Sequence, residues 1–377
     1  MTASTCEVLV GTFGPGILHF RYETASGRLH GPLAVSSASN ASWIIPAGNQ
    51  ATLYAVSEEG AVAAGTFGGS VSRFRRIQPY APLSPLGNVP SLGDHPTHCS
   101  LTGDNQHLAV ANYAADGGGA LCLIALDREG GLGRPTRVEP PPYPPRPGSH
   151  PERQASSHVH CAVSSPDGQW LFEADLGHDQ VRAYRLAETG VERPNVVHTL
   201  ELPPGTGPRH LLFSQDGRFA WLTLELSGQV MTLAYHDGQL QPLQTLTLAP
   251  AGFLGQPAAG ALHASEDGRF LYVVNRGDDN HLYVFECEPH TGLLMQCQRV
   301  ATRGAETREF ALAPDGRFVF LANQNENAVR VFTRDVSSGR IGACVQTVSV
   351  DAPACFVFLE DGDLQTAPDE PVMPSSA

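Results

Sequence analysis

The 377-residue sequence predicts an all-β fold, and three observations carry that prediction. One phrase recurs: a His or Arg, an apolar run, Asp-Gly or a close variant, a second apolar run, then a polar residue. Its clearest copies are Arg209-His-Leu-Leu-Phe-Ser-Gln-Asp216-Gly-Arg-Phe and Arg308-Glu-Phe-Ala-Leu-Ala-Pro-Asp315-Gly-Arg-Phe. The Asp-Gly pairs that begin at Asp167, Asp216, Asp267 and Asp315 lie 49, 51 and 48 residues apart, and a fixed period of this length marks an array of similar supersecondary units. The third observation is the spread of 39 Gly and 30 Pro along the chain, which suits many short strands joined by turns.

Each unit divides into four strands. Around Asp216 they fall at 210–214, 219–225, 229–235 and 240–248, separated by Gln-Asp-Gly-Arg, Leu-Ser-Gly and His-Asp-Gly-Gln, which are turn clusters. Around Asp267 the same reading places strands at 271–275, 281–286 and 293–300. A repeated four-stranded meander is a β-propeller blade. Six units centre on Gly48-Asn49, Asp104-Asn105 and the four Asp-Gly pairs. The seventh is split: 354–359 supplies one strand, and 8–13, 17–22 and 28–35 supply three, so that the two ends of the chain close the ring.

The expectation is a seven-bladed propeller of about 54 residues per blade, one domain over 1–365. A Pro- and Ser-rich tail, 366–377, is expected to be disordered. The interval from Asp104 to Asp167 is longer, 63 residues, and the excess falls in 134–157 with its Pro140-Pro-Pro-Tyr-Pro-Pro-Arg-Pro147 run. This reads as an extended insertion, a lid over the site or a plain surface loop.

Composition narrows the function. The formal net charge is −14, which argues against a nucleic-acid partner. All 24 basic residues are Arg, so Schiff-base chemistry on a lysine and a P-loop lysine are both excluded. There is no run of 18 apolar residues and no basic-then-apolar leader, so neither a membrane partner nor secretion is expected. The eight Cys lack a CxxC pair or finger spacing and read as small buried hydrophobes of a reducing, cytoplasmic protein. A monomer is expected.

The Asp-Gly turns serve as rulers. In a blade, the start of the first strand lies beside the end of the second, so residues equidistant from the turn meet at one end of the hairpin. Measured this way, His160 faces Asp175, Arg209 faces Glu225, Arg308 faces Asn323, and His98 faces Asn112, while Asn275 and Arg276 follow the Asp267 turn at the same distance. In a closed ring these ends surround the central channel. Polar residues often cap strand ends near water. Here, however, the types are His, Arg, Glu, Asp and Asn in register, while the opposite hairpin ends carry plain turns.

With those residues in place, the sequence resembles the seven-bladed lactonase family, which includes cycloisomerase-type 6-phosphogluconolactonases, sugar-acid lactonases and carboxymuconate cyclase. The resemblance rests on Gly207-Pro-Arg-His210, Glu225-Leu226, Asp175-Leu-Gly177, Ala111-Asn-Tyr113, Asn275-Arg-Gly277, Ala322-Asn-Gln324 and Val10-Gly-Thr-Phe13, and spans 7–362. It implies His160, Arg209, Glu225 and Arg276 as catalytic residues. His158 is the fallback for His160 on the same strand. The substrate-binding candidates are His158, His98, Asn112, Asp175, Asn275, Arg308, Asn323 and Gln324. Two departures are Thr307, where the family often has Pro, and Asn49, where Asp-Gly is usual.

Opening a lactone needs a water, a group to take its proton, and positive charge for the oxyanion. An imidazole suits the proton, and arginines suit an oxyanion or an anionic substrate group. His160 is read as the base, with Glu225 as orienter or alternate base. No GxSxG elbow occurs, which argues against a covalent serine route. Another propeller lactonase family uses a divalent metal held by Glu, Asn and Asp, but His158 and His160 supply only two ligands, so no metal or other cofactor is expected. The substrate expected is a small acidic sugar lactone. A cycloisomerase or lyase acting on a carboxymuconate-like dicarboxylate, and a non-catalytic binding propeller, stay open.

Overall fold

The structure, a computed structural model, describes residues 5–14, 16–63, 65–114, 119–138, 150–186 and 195–361. It is a ring of seven four-stranded antiparallel sheets. Six are meanders of consecutive strands. The seventh has the order Pro353–Glu360, Thr5–Thr12, Gly16–Glu23, Arg28–Ser37, one strand from the C-terminal side and three from the N-terminal side. The Asp216 blade comprises Pro208–Phe213, Phe219–Leu224, Gln229–His236 and Gln239–Thr247, within two residues of the expected bounds.

The turns behave as their residues dictate. Gly168, Gly217, Gly268 and Gly316 stand at φ between 67 and 69°, a left-handed conformation that glycine adopts without strain. Asn105 takes the same role at φ 56°, as Asn tolerates this region. The Asp side chain completes each turn: Asp216 accepts from Ser214 Oγ at 2.7 Å and Asp267 from Ser265 Oγ at 2.6 Å.

Both faces of every blade are buried. Apolar side chains form seven clusters, each between two adjacent blades. In the Asp216 blade Ala220, Leu222 and Leu224 pack toward the Asp167 blade, while Trp221 packs toward the Asp267 blade, as the two-residue period of a strand requires. The outermost strands alternate exposed and half-buried residues.

Residues 134–138 are not insertion: they belong to the outer strand Leu132–Val138, paired with Ala120–Leu126. The Pro-rich run and the tail 366–377 lie outside the described residues.

The closing blade is locked by a buried polar network. Glu7 accepts from Arg76 Nε at 2.6 Å and from the Tyr80 backbone N–H at 2.8 Å, and lies 2.7 Å from His19 Nδ1. Arg76 Nη2 donates to the Glu360 carbonyl at 2.8 Å, tying the first, second and last strands of the closure to the next blade. Removing one partner of a buried ion pair strands the other, at about 3–5 kcal/mol. Glu7→Ala is therefore expected to lower unfolding free energy by about that amount in urea titrations; a loss under ~1 kcal/mol would show that closure does not depend on this carboxylate.

Candidate active site

The site begins with a repeated irregularity of the inner strands. In the Asp167 blade Val159 is opposite Asp175 and Cys161 opposite Ala174, which leaves His160 as an extra residue. Arg308 is the extra residue of the Asp315 blade and Thr97 that of the Asp104 blade. In the Asp216 blade Arg209 and His210 together oppose Thr223, and in the Asp267 blade Gly260 and Ala261 together oppose Val274. A β-bulge bends its strand and re-aims a side chain. His160, Arg209, His210 and Arg308 all sit at such bulges.

These bulges bring charges together from several blades. Glu225 Oε2 lies 3.0 Å from Arg209 Nε and 3.2 Å from Arg276 Nη2, and Oε1 accepts from Arg153 Nη2 at 2.8 Å. Arg276 Nη1 pairs with Glu306 at 2.5 Å. Arg308 Nη2 pairs with Glu58 at 2.8 Å and covers the Phe13 ring. The bulge at Gly260 makes room for Arg276: a Cβ there would meet Arg276 Cδ and Nε at 3.3 Å and Val274 Cγ1 at 2.9 Å.

Beside the charges is a cluster of rings. His160 lies 5.4 Å from His210 between centroids, His98 lies 5.8 Å from His210, and Trp43 lies 4.5 Å from His98 and 5.6 Å from His210. Trp43 and His210 belong to blades separated by two others, so they meet across the ring axis. Arg209 Nη1 lies 3.2 Å from His210 Nε2. His98 Nδ1 accepts the Ala162 N–H at 3.4 Å. The buried Nδ1 of His160 has no hydrogen-bond partner among the described residues.

Burial and charge set the protonation states. Burial, then the charge of Arg209, holds His160 well below the ordinary histidine value. The same two causes push His98 down to about 3 and hold His210 low. Burial raises the Glu225 carboxyl, but Arg276, Arg209, His160 and Arg153 outweigh it and hold it well below the carboxylate range. Burial and Arg276 push Arg209 down to about 10, which leaves it a cation at neutral pH. The site is thus a carboxylate among arginines beside three neutral imidazoles.

The structure brings His160, Arg209, Glu225, Arg276, His98 and Arg308 to the axis. His158 lies at its edge, stacked on Tyr113 at 4.5 Å with Nδ1 2.7 Å from the Tyr113 carbonyl. The Asn and Asp candidates direct their hydrogen bonds elsewhere. Asp175 accepts from the His158, Gly177 and His178 N–H groups and pairs with Arg182. Asn112 donates to the Ser91 and Ala120 carbonyls, Asn275 accepts the Ala258 N–H, and Asn323 bonds Thr307 Oγ1 and the Thr302 carbonyl. Each is fully buried and fastens the loops of its own hairpin. Gln324 opens a short 3₁₀ turn, Gln324–Glu326, and its N–H donates to the Glu306 carbonyl.

Sequence reasoning missed Trp43, Arg153, Glu58 and Glu306, and singled out neither His210 nor Tyr113 as site residues. The signal for His210 was present: two consecutive polar residues at the start of an otherwise apolar inner strand.

Fold and site together define a seven-bladed β-propeller with a charged, histidine-rich centre on its axis. Residues 7–358 match the family model described as lactonase, 7-bladed beta-propeller, and the chain belongs to that family. It is 30% identical over 356 residues to the 6-phosphogluconolactonase of Bacillus subtilis, covering 93% of this chain and 97% of that protein. It is 27% identical over 352 residues to the 6-phosphogluconolactonase of Formosa agariphila, covering 91% and 97%. Among solved structures, the periplasmic gluconolactonase of Pseudomonas aeruginosa is similar at TM-score 0.88 and 44% identity, over 95% of this chain and all of that one.

Neutral buried imidazoles are directly observable. NMR titration is expected to show His160 protonating only below pH 6.5, and Arg209→Gln is expected to move its midpoint up toward 6.5 by removing the neighbouring cation. A midpoint at or above 6.5 in the unsubstituted protein would contradict this electrostatic picture.

Proposed function

We propose that the axial site hydrolyses the ring ester of a sugar-acid lactone to the open-chain acid. The observation that carries this reading is Glu225 held between two buried arginines beside His160, a neutral imidazole with an unpartnered Nδ1. Membership of the lactonase family, and relatives named 6-phosphogluconolactonase and gluconolactonase, support the reaction and the substrate class.

In this reading a water attacks the lactone carbonyl carbon while His160 takes its proton. Charge develops on the carbonyl oxygen, and fixed cations in a buried site stabilise such charge without reorganising. Arg209, fully buried against His210, fills that role. Arg276 is engaged from two sides by Glu225 and Glu306 and positions the carboxylate. Collapse of the tetrahedral species breaks the ring C–O bond, and the leaving oxygen takes the proton from His160. Glu225 is a poor base because the arginines hold its proton affinity low. It offsets the imidazolium charge that forms when His160 is protonated.

The test is a lactone panel on purified protein: phosphorylated, neutral and dicarboxylic lactones followed by acid release, and a carboxymuconate followed by absorbance. Acid release without loss of muconate absorbance is expected. His160→Ala and Arg209→Ala should each lower lactone turnover by at least ~100-fold with the fold retained; near-normal turnover in both would sink the assignment.

We also place the protein in the cytoplasm. All eight cysteines are unpaired, five of them buried, which suits a reducing compartment. Cell fractionation decides between this location and the periplasm, the compartment given for the Pseudomonas protein.

A further inference from the structure

The geometry points to Arg153 as the specificity-determining residue that receives an anionic group of the substrate, a phosphate or carboxylate remote from the scissile ester. The inference rests on the lactonase reading above.

Arg153 differs from the other arginines of the site. Its side chain is 39% exposed, whereas Arg209 is 2%, Arg276 8% and Arg308 18% exposed. Arg276 and Arg308 are committed to Glu306 and Glu58, and Arg209 is enclosed. Arg153 makes two side-chain bonds, Nη2 to Glu225 at 2.8 Å and Nε to Tyr113 Oη at 2.9 Å. Its Nη1 has no hydrogen-bond partner among the described residues. Glu225 keeps Arg209 and Arg276 on its other oxygen, so the site retains its charge balance when Arg153 turns to a ligand.

Its backbone is fixed, and its head is held on one side by Glu225 and Tyr113. Arg153 stands on the turn at 150–154, where the Glu152 and Arg153 N–H groups donate to His150 Nδ1. The buried Gln154 pins this turn to the ring, donating to the Leu176 carbonyl at 2.9 Å and accepting the His150 N–H at 2.7 Å. The guanidinium lies 5.8 Å over Tyr113, whose ring is 5.7 Å from His160. An anion held by Arg153 therefore sits one aromatic ring away from the proposed base. Guanidinium matches carboxylate and phosphate with paired donors. In a chain of net charge −14, a partly exposed guanidinium also focuses anions locally.

The test compares the unsubstituted protein with Arg153→Gln. Specificity constants are measured for 6-phosphogluconolactone, glucaro-monolactone and neutral gluconolactone. Calorimetry measures the affinity of 6-phosphogluconate and glucarate, with gluconate as reference. The preference for at least one anionic lactone over the neutral one is expected to fall about tenfold, with a matching loss of affinity for the corresponding acid, and Arg153→Lys is expected to restore part of both. If both anionic preferences are unchanged, or both acids bind as before relative to gluconate, the inference is overturned: a parallel fall on all three lactones would mean that Arg153 only holds Glu225. If the unsubstituted protein opens no lactone, the lactonase reading fails, and calorimetry alone decides the role of Arg153.

Discussion

The inner-strand bulge is the constraint on which the rest of this structure depends. A propeller blade buries both faces, so alternate side chains of an inner strand go to the two neighbouring seams: Leu211 packs toward the Asp167 blade and Leu212 toward the Asp267 blade. What faces the channel is the unpaired strand edge. A regular inner strand therefore turns its side chains mainly to the seams, and a bulge re-aims those beside it, as with His98 next to the extra Thr97. His160 and Arg308 are themselves the extra residues of their strands, and Arg209 and His210 share the bulge opposite Thr223. At the same place Gly260 contributes absence of bulk, across which Arg276 lies.

Concentrating such groups is unfavourable in isolation. Burying arginines and a glutamate strips their hydration, and the mutual attraction offsets this only when partners are close. The pairings are accordingly redundant: Glu225 meets three arginines, and Arg276 meets two glutamates. The seven apolar seams and the Glu7–Arg76 closure hold this unfavourable centre in place. Each seam is shared by two blades, so the axial charges are positioned by the whole ring and not by one sheet.

The sequence made the fold legible because a blade is a local object. Four short apolar runs and three turn clusters define it within about 50 residues, and the Asp-Gly spacing sets the repeat. The site was legible only along the chain. Distances from the turns reached His160, Arg209, Glu225, Arg276 and Arg308, but the same ruler also reached Asn112, Asp175, Asn275 and Asn323, which bind their own loops. The two classes differ by one position: in the Asp216 blade the loop-fastening place is held by Leu224, and Glu225 follows it. A one-residue offset reverses the side of a strand, and a bulge reverses it again, so spacing alone does not separate them. Trp43, Arg153 and Glu58 reach the site from other blades or from a loop, and no spacing within one repeat reports a contact across the axis.

The electrostatics of the site bear on how His160 would serve as the base of the proposed reaction. Arg209 disfavours a proton on His160, whereas Glu225 favours one. Burial, the largest cause, adds to Arg209, and together they keep the imidazole neutral and weakly basic. Anything that neutralises the nearby arginines shifts that balance toward the carboxylate. In the proposed hydrolysis a developing oxyanion on the substrate would do so at the moment the water loses its proton. The arginine charge that adds to burial in keeping His160 neutral would therefore oppose proton transfer least when the tetrahedral species of that reaction forms.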